Sequence, residues 1–121
     1  MAHILLIDDD PAILRVQEAL LSREGHQVAT AGNGKEALPH LRGTAFDLVI
    51  TDLIMPEREG METIQLLRRE YPKTKIIASS GGGRADATDY LNMARLMGAN
   101  AILPKPFTRE ELLAAIAQAL G

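Results

Sequence analysis

The 121-residue sequence contains no cysteine and no tryptophan. Without cysteine there can be no disulfide, no thiolate metal site and no cysteine nucleophile. Aromatic residues are few: Phe46, Tyr71, Tyr90 and Phe107 stand singly, as packing residues do, and form no stacking platform. A formal net charge of −3 lacks the clustered Lys and Arg that nucleic-acid backbones select, so no direct nucleic-acid contact is expected. No apolar run approaches the roughly 18 residues of a membrane-spanning helix. Met1-Ala2-His3 leads straight into Ile4-Leu5-Leu6-Ile7, without the charged start and small-residue cleavage site of a secretory leader. The expectation is a cytoplasmic protein with no membrane insertion. His3, His26 and His40 are scattered and have no metal-ligand spacing.

The sequence does hold enough apolar residues, 46%, to bury one core, with 24% charged residues to solvate its surface. A single domain over residues 1–121 is expected. Short apolar runs at 3–7, 27–31, 46–51, 75–79 and 101–103 suit strands buried on both faces of a parallel sheet. Helical spacing fills the intervals. Asp10 before Pro11 reads as an N-cap with proline at the first helical position, and Ile13, Gln17, Leu20 and Leu21 share one face until Gly25 ends the helix. Asn33 and Glu36 suggest a capping box before a short helix toward Leu41, which Pro39 should kink or make irregular. A third helix is expected over 61–71, with Ile64, Leu67 and Tyr71 inward and Arg68, Arg69 and Glu70 outward. A fourth covers 85–97, closed by Gly98. The fifth opens on Thr108 and Glu111 as a capping box and repeats Leu112, Leu113, Ile116 and Leu120. The alternation predicts an α/β fold: a doubly wound five-stranded parallel sheet with five helices, flavodoxin-like. Ligands of such sheets bind beyond the carboxyl ends of the strands.

Chemistry-bearing residues stand at those ends. The first strand runs into Asp8-Asp9-Asp10 and the third into Asp52. Asp10 is taken by capping. If the two strands are neighbours, Asp8, Asp9 and Asp52 crowd together, and their mutual repulsion is relieved by a hard divalent cation such as Mg²⁺ or Mn²⁺ rather than zinc. The fourth strand leads into Ser80-Gly81-Gly82-Gly83, a hydroxyl followed by open backbone N–H groups. The fifth leads into Pro104-Lys105-Pro106, a cation in constrained backbone, where a cis Lys105–Pro106 bond is conceivable. The glycines make no P-loop, since no Gly-Lys-Ser/Thr follows. A carboxylate nucleophile, a metal, a hydroxyl and a lysine are the parts that stabilise a transferring phosphoryl group.

Together, Ile4-Leu5-Leu6-Ile7-Asp8-Asp9-Asp10, Thr51-Asp52-Leu53-Ile54-Met55-Pro56 with Gly60, Ser80-Gly81 and Lys105-Pro106-Phe107 resemble the receiver domains of two-component response regulators along essentially the whole chain. The resemblance implies roles by position. Asp52 would be the phosphoacceptor. Asp9, Asp52 and the backbone carbonyl of Ile54 would hold Mg²⁺ directly, with Asp8 acting through metal-bound water. Ser80 would be the switch hydroxyl, Lys105 the lysine on the phosphoryl group, and Leu53 and Gly81 the backbone donors to its oxygens. A histidine kinase or histidine phosphotransfer protein is the implied donor. The implied output is a changed surface on the fourth helix, last strand and last helix, read by a downstream protein because no output domain follows Gly121. The domain would thus be a switch that catalyses its own phosphorylation and dephosphorylation rather than a turnover enzyme. Three departures stand out: Ile102 where the family often has an aromatic switch residue, the charged run Glu57-Arg58-Glu59, and extra length at 81–84.

Three other readings compete. A haloacid-dehalogenase-like phosphatase would use Asp8 as nucleophile, but Ala12 replaces its usual Thr or Val and 121 residues leave little room for a cap. A phosphate-independent receiver-like binding module would not need the full acceptor set. A flavodoxin-like electron carrier would need donors, not carboxylates, in the first loop.

Overall fold

In a computed structural model of the chain, which describes residues 2–52, 59–80 and 87–121, the apolar runs form one parallel sheet. Its strands are β1 (His3–Ile7), β2 (Gln27–Ala31), β3 (Leu48–Asp52), β4 (Lys75–Ser80) and β5 (Ala101–Pro104), in the order β2-β1-β3-β4-β5. Helices α1 (Pro11–Arg23), α2 (Gly34–Gly43), α3 (Glu59–Glu70), α4 (Ala87–Leu96) and α5 (Arg109–Leu120) follow the strands in turn. This is the expected doubly wound, flavodoxin-like architecture. β3 begins two residues later and ends one later than the apolar run suggested, so Asp52 is the last residue of the strand.

The near-continuous apolar strands are explained by burial on two sides. Leu5, Ile7, Val49, Ile76 and Ala78 point to one face, where Ala37, Leu41, Ile64, Leu67 and Ala94 of α2, α3 and α4 cover them. Ile4, Leu6, Leu48, Ile50 and Ile77 point to the other, under Leu21 of α1 and Leu112, Ala115 and Ile116 of α5. Alternate residues of a strand serve opposite cores, as the two-residue period requires.

Several helix details differ from the sequence reading. In α1 it is Leu14, not Ile13, that packs on the core with Leu20 and Leu21. In α5 Ala119 takes the inward place expected for Leu120, which is 37% exposed; positions 112, 115, 116 and 119 make the stripe. α2 runs unbroken through Pro39. Proline removes one N–H from the second turn, and the burial of Ala37 and Leu41 on either side holds the helix across that loss. Asn33 caps α2 by accepting from the Glu36 N–H at 2.8 Å, but Glu36 reaches back to Gly32 N instead of completing a box with Asn33.

Arg68 is half-buried rather than fully outward. Its guanidinium donates to the carbonyls of Pro72 and Thr74, and its stem lies under Gly98. A Cβ at Gly98 would sit 2.6 Å from Arg68 Cδ, and φ there is +117°, so both space and backbone demand glycine. Burial lowers the Arg68 pKa from its ordinary value.

The expected capping box of α5 is present: Glu111 N donates to Thr108 Oγ1 at 3.0 Å, and Thr108 N to Glu111 Oε1 at 2.8 Å. Thr108→Ala should therefore lower unfolding free energy by about 1 kcal/mol, read as a shifted urea midpoint at unchanged slope. An unchanged midpoint would mean that this box contributes nothing to stability.

Candidate functional site

Because all five strands are parallel, their carboxyl ends share one edge of the sheet. Winding reverses at β1, which pairs with β2 on one side and β3 on the other, so the following connections diverge to opposite faces. The crevice this leaves is where such folds place ligands.

Asp8, Asp9 and Asp52 meet there. Each offers a carboxylate oxygen, and these oxygens lie within 4.8 Å of one another. Asp8 and Asp52 are buried, while Asp9 is exposed. β1 and β3 supply the placement: Ile7 is in register with Thr51, so the residues that follow, Asp8 and Asp52, come out side by side. The Asp8 backbone is pinned by its N–H on Ala31 O, and Asp8 Oδ1 accepts from Asp10 N at 3.0 Å. Asp10 turns away and caps α1 through Ala12 N, at 2.9 Å, as expected.

Lys105 reaches the same point from the end of β5. Its Nζ lies 2.6 Å from Asp8 Oδ2 and 3.5 Å from Asp52 Oδ2, with the side chain only 14% exposed. The sequence suggested a lysine for a phosphoryl group; the structure also makes it the counter-ion of Asp8. The Lys105–Pro106 bond is cis. Buried Ser79 donates to Leu103 O at 2.9 Å and so ties β4 to β5 just below the site. Ser80 ends β4 opposite Pro104. Its hydroxyl, together with Leu53, Ile54, Gly81, the 55–58 run and the 81–84 segment, lies outside what is described.

One feature near the site was missed. Ala12, Ile13 and Val16 of α1 face Pro106 and Phe107 across an apolar hollow of about 410 Å³ that also touches Lys105. Val16, 66% exposed, was the available signal: an apolar residue on the solvent side of α1. A larger cavity, about 800 Å³, lies at the opposite edge of the sheet and holds none of these carboxylates.

The donor set is made of oxygens only, compact and negatively charged, with Asp9 open to water. That chemistry fits a hard divalent cation and fits neither zinc nor copper. No described helix is long and apolar enough to cross a membrane.

A fold of this topology with an acidic cluster and a lysine at its switch point defines a class of phosphoryl-handling α/β domains, and sequence comparison narrows it. The response regulator receiver domain family matches residues 4–117, and the chain belongs to that family. It is 35% identical over 116 residues to the transcriptional regulatory protein CpxR of Escherichia coli K12, covering 96% of this chain and 48% of CpxR. It is 38% identical over 120 residues to the transcriptional regulatory protein GlrR of the same organism, covering 98% of this chain and 26% of GlrR. The chain thus spans about half of the one relative and a quarter of the other. Among solved structures, a response regulator receiver domain protein from Clostridium thermocellum superposes with a TM-score of 0.89 at 34% identity, covering 99% of this chain and 94% of that one. The chemotaxis response regulator CheY4 of Vibrio cholerae superposes with a TM-score of 0.85 at 30% identity, covering 99% of both chains. Membership decides for the receiver reading over the phosphatase and the flavin carrier.

Proposed function

We propose that this receiver domain accepts a phosphoryl group on Asp52, and that Asp8, Asp9 and Asp52 hold Mg²⁺, or Mn²⁺, for the transfer. The observation that carries the proposal is the convergence of the three carboxylates with Lys105 at the β1/β3 switch point. Asp52, the last residue of the central strand, takes the nucleophile's role by its position in the family's acceptor motif, and Asp8 that of the carboxylate held closer to Lys105, at 2.6 Å against 3.5 Å. A bound Mg²⁺ supplies charge neutralisation for the phosphoryl oxygens. Asp52 forms the new P–O bond as the bond from phosphorus to the donor's imidazole nitrogen, or to an acyl oxygen, breaks. Lys105 is placed to contact the phosphoryl group that Asp52 then carries. The Ile54 carbonyl is assigned to the metal, and the Ser80 hydroxyl and the N–H groups of Leu53 and Gly81 to the phosphoryl oxygens, on sequence position.

The donor in this reading is a histidine kinase or histidine phosphotransfer protein acting in the cytoplasm, and the apolar hollow between α1 and Pro106–Phe107 gives it a footing beside Lys105. The output surface is the α4–β5–α5 face. Met93 and Leu96 on α4 are 52% and 88% exposed, apolar area available to a downstream protein. The domain acts as a switch that turns over only its own phosphoryl group.

Incubation with acetyl phosphate and Mg²⁺ should add one phosphoryl group, and peptide mapping after borohydride reduction should place it on Asp52. Chelation of the metal should suppress labelling by at least about tenfold. Labelling on Asp8 would refute the assignment, and no labelling under any condition would favour a phosphate-independent binding module.

A further inference from the structure

The groove of about 800 Å³ lies beneath the amino ends of β3 and β4, at the edge of the sheet remote from Asp52. Leu41, Phe46, Tyr71 and Leu120 give it an apolar floor contributed by both helical layers and the sheet edge. Arg42, Lys73 and Lys75 stand on its rim, all exposed. Thr74 is buried, with its hydroxyl on Phe46 O at 3.1 Å, and the exposed Lys73 and Lys75 flank it. None of the three cations takes part in an ion pair with a described residue.

The opposing charges are smaller. Asp47 is the one carboxylate in the groove lining, and its Oδ2 already accepts from His3 N at 2.9 Å. α2, α3 and α5 end here, and each helix end carries roughly half a negative charge before capping. Those ends are partly met: Thr44 N caps His40 O, Gly121 N caps Ala117 O, and the Arg68 guanidinium takes the Pro72 and Thr74 carbonyls after α3. Whole positive charges therefore prevail at this edge of a protein whose net charge is −3.

We propose that the groove docks an acidic segment of a partner protein, with one or two large apolar side chains on its floor and carboxylates on Arg42, Lys73 and Lys75. The rim charges come from separate segments, so a small anion would engage part of them and leave the floor wet, whereas an extended segment satisfies both. Such a contact buries its apolar anchors centrally and keeps the ion pairs on the rim, where salt weakens them. It lies at the opposite edge from the phosphoryl site, so the two proposals stand or fall separately.

The test is titration of ¹⁵N-labelled protein with a twelve-residue peptide of glutamate pairs separated by leucine and phenylalanine. Two controls replace every glutamate with lysine or every apolar residue with serine. The acidic amphipathic peptide should shift amides in 41–47 and 71–75, and both controls should bind at least about tenfold more weakly. The double variant Lys73→Glu/Lys75→Glu and, separately, Arg42→Glu should also weaken binding about tenfold with unchanged circular dichroism. Arg15→Glu, on the exposed side of α1, should leave it intact. The proposal is overturned by any of four results: no binding at millimolar peptide, shifts outside the groove, indifference to charge reversal, or the same shifts from inorganic phosphate alone. Groove shifts that follow protein concentration without peptide would assign the surface to a second copy of the chain and overturn it as well.

Discussion

Asp52→Asn should incorporate no phosphoryl group from acetyl phosphate or from a phosphorylated histidine donor, while remaining folded. The amide keeps the size of the side chain but removes the nucleophilic oxygen pair, so the loss is complete rather than partial. Stability should change little. Lys105 retains its 2.6 Å partner Asp8, so no buried cation is stranded, and removing one of three crowded carboxylates relieves repulsion. Intact-mass spectrometry gives the first readout and thermal unfolding the second. Residual incorporation at wild-type rate would move the acceptor to another residue.

Asp9→Ala should abolish the response to magnesium. Among the three carboxylates Asp9 is the exposed one, the member through which a cation can be reached from solvent. In the wild-type protein Mg²⁺ should raise the unfolding free energy by linkage, roughly 1.4 kcal/mol at ten times the dissociation constant. In Asp9→Ala the melting temperature should be flat across the same titration, and Mg²⁺-dependent labelling of Asp52 should fall below detection. The metal-free variant should be at least as stable as the wild type, since a repelling charge has gone and Asp8 and Lys105 keep their contact. A magnesium-dependent rise equal to that of the wild type would show that the cation is held elsewhere.

Local sequence carried much of the fold. Apolar runs three to six residues long, each followed by a stretch of helical spacing, admit few arrangements, because a parallel strand must be covered on both faces and reached by a crossover. Capping by Asp10 and the Thr108–Glu111 box were legible because they depend on residues at most three apart. Pro39 did not end α2: the helix continues through it with Ala37 and Leu41 buried on either side, a tertiary quantity that local propensity does not carry. Arg68 is a similar case: helical spacing placed it outward, yet the carbonyls of Pro72 and Thr74 after α3 and the space beside Gly98 draw it into a half-buried position.

The residue types at the strand ends, and hence the kind of chemistry, were determined by the sequence alone: Asp8, Asp9, Asp52 and Lys105 follow short apolar runs that suit buried strands. Their meeting was decided by tertiary structure. Asp8 and Lys105 are 97 positions apart, and only the β2-β1-β3-β4-β5 order, with all strands parallel, brings both to one edge. The pairing of Lys105 with Asp8 and the basic groove under β3 and β4 had no sequence signature of their own, and the apolar hollow beside α1 had only Val16. Each is made by side chains from elements that local periodicity cannot relate, and a surface of that kind exists only once the sheet has set the distance between them.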